Sequence, residues 1–251
     1  MILISESGST KCDWVLLDSL NAVPKRIRTK GLNPAILKKK ELKKIITSNK
    51  ELFEYKDLIT SIYFFGAGCN TPNSKNNIQV VLSSCFKKAI SVVEEDIMAA
   101  VYATTLKPAV VCILGTGSNC CYFNGTSIHS KVPSLGFLVM DEGSGNYFGK
   151  ELLKAYYYKQ MPKELRIVFE KQFNLNERKV IKKLYQSKTP NKYLAGFAIF
   201  LFENIQHSYM KKTLHEGMDR FIENHIAQYL KELETVPLHF VGSIAFYAKD
   251  Y

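Results

Sequence analysis

The sequence predicts an α/β protein built from two similar halves, each a sheet of short strands carrying helices. Three observations predict it. The stretch Ile113-Leu-Gly-Thr-Gly-Ser-Asn-Cys-Cys-Tyr-Phe123 reads as a buried strand, a glycine-hydroxyl turn and a second strand. A weaker copy opens the chain: setting Ile4 against Ile113 without a gap puts Gly8 on Gly117, Ser9 on Ser118, Cys12 on Cys121 and Trp14 on Phe123. Between and after these hairpins, buried strands alternate with helically spaced segments. Two glycine-turned hairpins in two halves suggest a duplicated fold closing on one ligand, since such turns offer several N–H groups to a phosphate or sugar oxygen.

The elements follow in order. Ile2 to Ser5 and Lys11 to Asp18 read as strands joined by Ser7-Gly8-Ser9-Thr10, with Lys25 to Lys30 as a third. Gly31-Leu-Asn-Pro34 then turns the chain into a helix over 36–47, spaced by Ile36, Leu37, Leu42, Ile45 and Ile46. Ser61 to Phe65 is a buried strand ending in Gly66-Ala-Gly68. Asn76 to Lys88 has helical spacing, with Val80, Val81 and Phe86 toward a core. A strand at Ile90 to Val93 stops at Glu94-Glu-Asp96, and 97–105 is a helix of small residues, which puts Asp96 at or just before its N-terminus. The second half repeats the theme with strands at 109–114, 119–124 and 127–132, the last two joined by the hairpin signal Asn124-Gly125. Gly136 to Gly145 leads into a helix through about Lys159, and 162–231 is nearly all helical, with breaks near Asn174 and Thr189-Pro190. Leu238 to Val241 is a last apolar strand before Gly242-Ser243. The expected domain boundary lies between Thr105 and Pro108, giving domains of 1–106 and 107–251, the second with a helical insertion at about 162–231.

Composition narrows the classes. A chain of 251 residues can bury a sizeable core as one large domain or two smaller ones. No apolar run approaches the ~20 residues of a membrane span, and Met1-Ile-Leu-Ile4 meets Ser5-Glu6 with no basic region or cleavage site, so a cytoplasmic protein without membrane contact is expected. The six cysteines form no Cys-x-x-Cys pair and several lie in apolar runs, which suits reduced, buried thiols. The five histidines form no His-x-x-x-His pair that would suit zinc. A formal charge of +11 raises nucleic acid as a partner, but the lysines spread along solvated helix faces and no aromatic-interleaved basic stripe appears. No nucleic-acid partner is expected, only a weak pull on anionic ligands such as nucleotides.

Two phosphate motifs nearly match and fail. Gly143-Ser-Gly145…Gly149-Lys150 lacks the first P-loop glycine and carries Glu151 in place of Ser/Thr, and Gly115-Thr-Gly117-Ser-Asn-Cys120 lacks the third Rossmann glycine. What remains is four turns after apolar strands: Glu6 to Thr10, Asp96, Thr116 to Asn119 and Gly242-Ser243, with Asp141-Glu142 before a helix. Singly, each has an ordinary structural explanation as a hairpin turn, a helix cap or a strand-to-helix turn. Together they supply acids and glycine-hydroxyl loops at strand ends, where ligand sites of α/β proteins form.

Ser7-Gly-Ser-Thr-Lys-Cys-Asp-Trp14, Leu114-Gly-Thr-Gly-Ser-Asn119, Asp141-Glu-Gly-Ser-Gly145 and His239-Phe-Val-Gly-Ser-Ile244 together resemble the N-acetylglucosamine kinase and BadF/BadG-type ATPase family of the actin, sugar kinase and Hsp70 superfamily. The similarity runs in order over essentially the whole chain. It implies two ribonuclease-H-like, actin-like ATPase domains with a nucleotide cleft between them, and ATP-dependent phosphorylation of an amino sugar, N-acetylglucosamine being the first expectation. By resemblance Ser9 and Thr10, flanked by Gly8 and Lys11, match the first phosphate loop; Ser118 lies in the second, and Gly242 and Ser243 match the adenosine-side turn. Asn33, Thr116, Gly117, Gly136 and Asp141 match sugar-binding positions, and Asp96 matches the catalytic base. Glu6 stands where the family usually has the Asp that organises Mg²⁺ through water, and Met140 where it usually has Gly. ATP, Mg²⁺ and a small amino sugar are the implied ligands, and a homodimer is compatible with the resemblance. Two alternatives stay open at this point: an ATPase activator of a 2-hydroxyacyl-CoA dehydratase type, with Cys69 as the one tempting cluster ligand, and a non-catalytic sugar or nucleotide sensor.

Overall fold

Burial alternates along Ile2–Ser7, with Leu3, Ser5 and Ser7 inward, and that strand, β1, becomes the middle of a five-stranded sheet. The structure is a computed structural model and describes residues 1–8, 11–18 and 23–251. The chain divides into two compact units, Met1–Ala99 and Ala100–Tyr251.

In the first unit β1 pairs antiparallel with β2 (Lys11–Leu17), which pairs antiparallel with β3 (Lys25–Lys30). Helices α1 (Lys39–Ser48) and α2 (Lys50–Phe53) lead to β4 (Ser61–Gly66), which lies parallel to β1. Helix α3 (Pro72–Cys85) crosses to β5 (Ile90–Glu95), parallel to β4, giving the order β3-β2-β1-β4-β5. Leu3, Trp14, Leu16, Ile62, Phe64 and Val93 bury one sheet face against Leu42 and Ile46 of α1 and Ile78, Val81 and Leu82 of α3. Trp14 keeps its ring nitrogen satisfied there by donating to Thr29 Oγ1 at 3.0 Å.

Helix α3 begins earlier than its hydrophobic spacing predicts. Thr71 accepts from the Ser74 N–H while its own N–H donates to Ser74 Oγ, and Pro72 takes the first turn, where its missing N–H costs nothing. Val80 is 46% exposed, contrary to its predicted place in the core, whereas Val81 and Phe86 are buried. Helix α1 starts at Lys39, so Ile36, 65% exposed, lies outside it in a turn closed by the Asn33 carbonyl.

Helix α4 (Asp96–Thr104) follows β5 without a loop. In the second unit β6 (Ala109–Leu114) pairs antiparallel with β7 (Ser118–Phe123), β7 with the short β8 (Ile128–His129), and β6 lies parallel to β9 (Leu238–Val241). The order β8-β7-β6-β9 repeats β3-β2-β1-β4 with the same strand directions. The duplication is one of architecture, not of the ungapped alignment. Ile4 pairs with Val15, so that alignment would pair Ile113 with Asn124, yet Ile113 pairs with Asn119. Strand β8 is shorter than the predicted 127–132, because Asn124 Oδ1 takes the Thr126 and Ser127 amides and the Lys131 N–H goes to the Tyr229 hydroxyl.

Between β8 and β9 stand α5 (Gly145–Tyr157), α6 (Lys163–Gln172), α7 (Glu177–Tyr185), α8 (Pro190–Ala195), α9 (Ala198–Glu203), α10 (Ser208–Asn224), a 3-10 turn (Ile226–Tyr229) and α11 (Leu230–Leu233); α12 (Ser243–Ala248) follows β9. Their core centres on Phe169, whose ring lies 4.9 Å from Phe173, 5.7 Å from Phe197 and 4.8 Å from Phe200. All six cysteines are buried, and none forms a disulfide. No helix among the described residues is long and apolar enough to cross a membrane.

Candidate active site

In the first unit the predicted site residues collect at the C-terminal ends of the parallel strands. Glu6, next to last in β1, faces Asp13 across β2 and Phe65 across β4, and Phe65 faces Glu94 of β5. Partial desolvation raises the Glu6 carboxyl above its ordinary range, and the Asp96 charge adds to the rise. Asp96 opens α4, and its Oδ1 accepts from the Ile97 N–H at 3.0 Å. Burial raises the Asp96 carboxyl despite that hydrogen bond, which suits a group that must take up a proton. Burial opposes ionisation of Asp13, but hydrogen bonds from Arg28 and Lys11 outweigh it and hold Asp13 below the usual range. Lys11, expected at the phosphates, is thus engaged by Asp13 at 2.8 Å. Gly8 closes the hairpin through its N–H to the Lys11 carbonyl, and Ser9 and Thr10 lie outside the described residues.

Asn33 is 8% exposed. Its Oδ1 accepts the Ala35 N–H at 2.9 Å, and the Leu32 N–H before it donates to the buried Ser7 hydroxyl, tying this turn to the end of β1. Gly68, at φ +80°, lies directly under Asn33: a Cβ there would come within 2.1 Å of Asn33 Oδ1. Cys69 beside it is buried, with its thiol pushed up to about 12 by desolvation and then by the Asp96 charge. Among the described residues no group of three or more His, Cys, Asp or Glu side chains could hold a metal.

In the second unit the two glycine-rich stretches form one structure. The start of α5 is stapled to the 115–117 turn: Gly145 N–H donates to the Gly115 carbonyl at 2.8 Å and Asn146 N–H to the Thr116 carbonyl at 3.0 Å. Asp141 sits beneath them, 7% exposed and at φ 75°, a conformation that non-glycine residues adopt only where the surroundings enforce it. The enforcing contacts are Ser144 N–H and Oγ, both on the Asp141 carbonyl. The carboxylate accepts from Ser118 N–H at 3.3 Å and from the Asn146 amide at 2.8 Å, and a Cβ on Gly117 would come within 2.8 Å of it. Gly242 packs on the Leu114 carbonyl, which brings the Gly242-Ser243 turn beside Gly115. Ser118, Thr116, Gly117, Asp141, Gly242 and Ser243 therefore share one end of this sheet. Gly136 sits at φ +80° in the turn that accepts the Val139 and Met140 amides on its carbonyl, and among the described contacts none joins it to Asp141.

No protein-family model matches the chain, and no curated protein matches it. Among solved structures, a protein from Porphyromonas gingivalis provisionally designated an N-acetylglucosamine kinase is 32% identical, with a TM-score of 0.89 over 100% of this chain and 88% of its own. The chain belongs to the N-acetylglucosamine-kinase-like family of the actin-like ATPase superfamily. Two further structures share its fold: a provisionally designated N-acetylglucosamine kinase from Chromobacterium violaceum (12% identity, TM-score 0.69, 99% and 89% coverage) and a ROK-family glucokinase from Streptomyces griseus, solved with glucose and AMPPNP (11%, 0.54, 98% and 84%).

For a kinase-like chain of this type, sequence reasoning missed two residues that set the geometry. Gly68 was visible only as the end of a strand turn, and its role depends on Asn33, which is distant in sequence. Asn146 carries no signal of its own, because Asn in the first turn of a helix reads as ordinary capping chemistry.

Proposed function

We propose that this chain transfers the terminal phosphoryl group of ATP to a hydroxyl of an amino sugar, N-acetylglucosamine first. The observation that carries the reading is the full-length match to a relative of that designation in a chain whose Asp96 carboxyl is raised by burial. In this reading Asp96 accepts the proton of the attacking hydroxyl. Asn33, Thr116, Gly117 and Asp141 hold the sugar; Ser9, Thr10 and Ser118 meet the phosphates, and Gly242 and Ser243 the adenosine. The partly desolvated Glu6 carboxyl near the end of β1 fits a cation brought with nucleotide, since Mg²⁺ typically takes one or two carboxylates plus substrate phosphates. When bound, Mg²⁺ supplies positive charge that offsets the charge on the transferring phosphoryl group. Glu6 would hold it through water.

The test is an ADP-release assay over N-acetylglucosamine, N-acetylmannosamine, glucosamine and glucose. Activity is expected with an amino sugar, and Asp96→Asn should lower kcat by about 10³-fold with sugar binding retained. A base works only when ionised, so the raised Asp96 carboxyl places the acidic limb of the kcat/KM profile above the ordinary aspartate range; activity falls as pH drops through it. Full activity of Asp96→Asn would overturn the assignment. Calorimetry showing sugar and ATP binding without transfer would instead favour a sensor.

A further inference from the structure

Asn146 is the second residue of α5 and is 1% exposed. Its side-chain nitrogen lies between two acceptors, the Thr116 carbonyl at 2.7 Å and Asp141 Oδ2 at 2.8 Å. Only the nitrogen end of the amide can face both, so the orientation of the group is fixed by chemistry. That choice leaves its Oδ1 buried with no hydrogen-bond partner. An unpaired buried carbonyl is costly, and so is the left-handed backbone at Asp141. The Thr116 carbonyl already receives the Asn146 backbone N–H, so the staple between turn and helix does not depend on this side chain. What the side chain alone supplies is a donor to the Asp141 carboxylate.

We propose that Asn146 is a positioning residue for sugar recognition, acting through Asp141. Resting on the function proposed above, it fixes one carboxylate oxygen while Ser118 N–H fixes the other, and each keeps a lone pair for a sugar hydroxyl. A carboxylate locked at both oxygens selects a pair of neighbouring hydroxyls in one orientation. A free carboxylate would rotate to follow any polar ligand.

The test compares wild type, Asn146→Ala, Asn146→Ser, Asp141→Ala and the Asp141→Ala/Asn146→Ala double variant. Steady-state kinetics and N-acetylglucosamine titrations by calorimetry are run on each, with thermal unfolding as a check on the fold. Asn146→Ala should raise the sugar KM and dissociation constant about ten-fold, the scale of one hydrogen bond to a charged group, and leave the ATP KM within about two-fold. Adding Asn146→Ala to Asp141→Ala should then change sugar binding no further. Asn146→Ser, which keeps a hydroxyl donor, should fall between wild type and Asn146→Ala. An unchanged sugar KM in folded Asn146→Ala, or losses that multiply in the double variant, would overturn the proposal. So would failure of both Asn146 variants to fold, which would assign the residue to the fold alone. A wild type that binds the sugar without phosphorylating it defeats the kinase reading, while the titrations still decide the role of Asn146.

Discussion

Asn33 and Asp141, two of the residues proposed to hold the sugar, share one local device: each rests on a glycine with no room for a Cβ. At Gly68 the restriction is double, because φ of +80° already disfavours a side chain and the Asn33 amide fills the space above it. Gly68→Ala should therefore displace Asn33, raise the sugar KM by at least about ten-fold and leave the ATP KM nearly unchanged, as read by steady-state kinetics at saturating co-substrate. A sugar KM equal to that of wild type would remove Asn33 from the sugar site. The pairing was not legible in the sequence. Asn33 could be singled out from Gly-Leu-Asn-Pro, but its glycine partner arrives through the β1–β4 pairing, which no local pattern encodes. The acids were more legible. Glu6 near the end of β1 and Asp96 just after β5 could be singled out as acids at strand ends, whereas their mutual influence depends on β1 and β5 flanking β4.

At the scale of elements, strands were legible where burial is continuous. Ala109–Leu114 is apolar throughout and its limits match the prediction, whereas Leu238–Val241 matches its limits although it contains His239 and is only partly buried. The helical region between them was legible as helix, and its breaks near Asn174 and Thr189-Pro190 fall between α6 and α7 and between α7 and α8, but its later divisions were not legible. The break before α10 is capped by His207, whose Nδ1 accepts the Tyr209 N–H, a cap outside the usual Ser/Thr/Asp/Asn set. The pieces are held by one aromatic cluster. Phe169 is fully buried and its ring meets Phe200 of α9, Phe197 just before that helix and Phe173 just after α6, so Phe169→Ala removes the centre of the packing. We expect a loss of about 3–5 kcal/mol in denaturant unfolding of the intact chain. A loss under about 1 kcal/mol would mean that the cluster repacks around the vacancy.

For the whole molecule, the two halves repeat a strand order while differing in hairpin register, so the ungapped echo of Ile4 to Trp14 in Ile113 to Phe123 pointed to the right architecture through a pairing that the strands do not use. Strand order survives changes in turn length because it is set by which faces are buried; residue-by-residue correspondence does not. The basic surface likewise says little about the site, whose first-unit side chains are mainly acidic. The staple between the 115–117 turn and the start of α5 has a consequence in exchange chemistry. The Gly145 and Asn146 amides both donate to carbonyls of that turn, so they can take up deuterium only when turn and helix part. Their protection should rise together when N-acetylglucosamine is added and stay unchanged with a sugar that leaves Asp141 untouched. Measured by hydrogen–deuterium exchange, these two amides become a built-in gauge of sugar occupancy that needs no turnover.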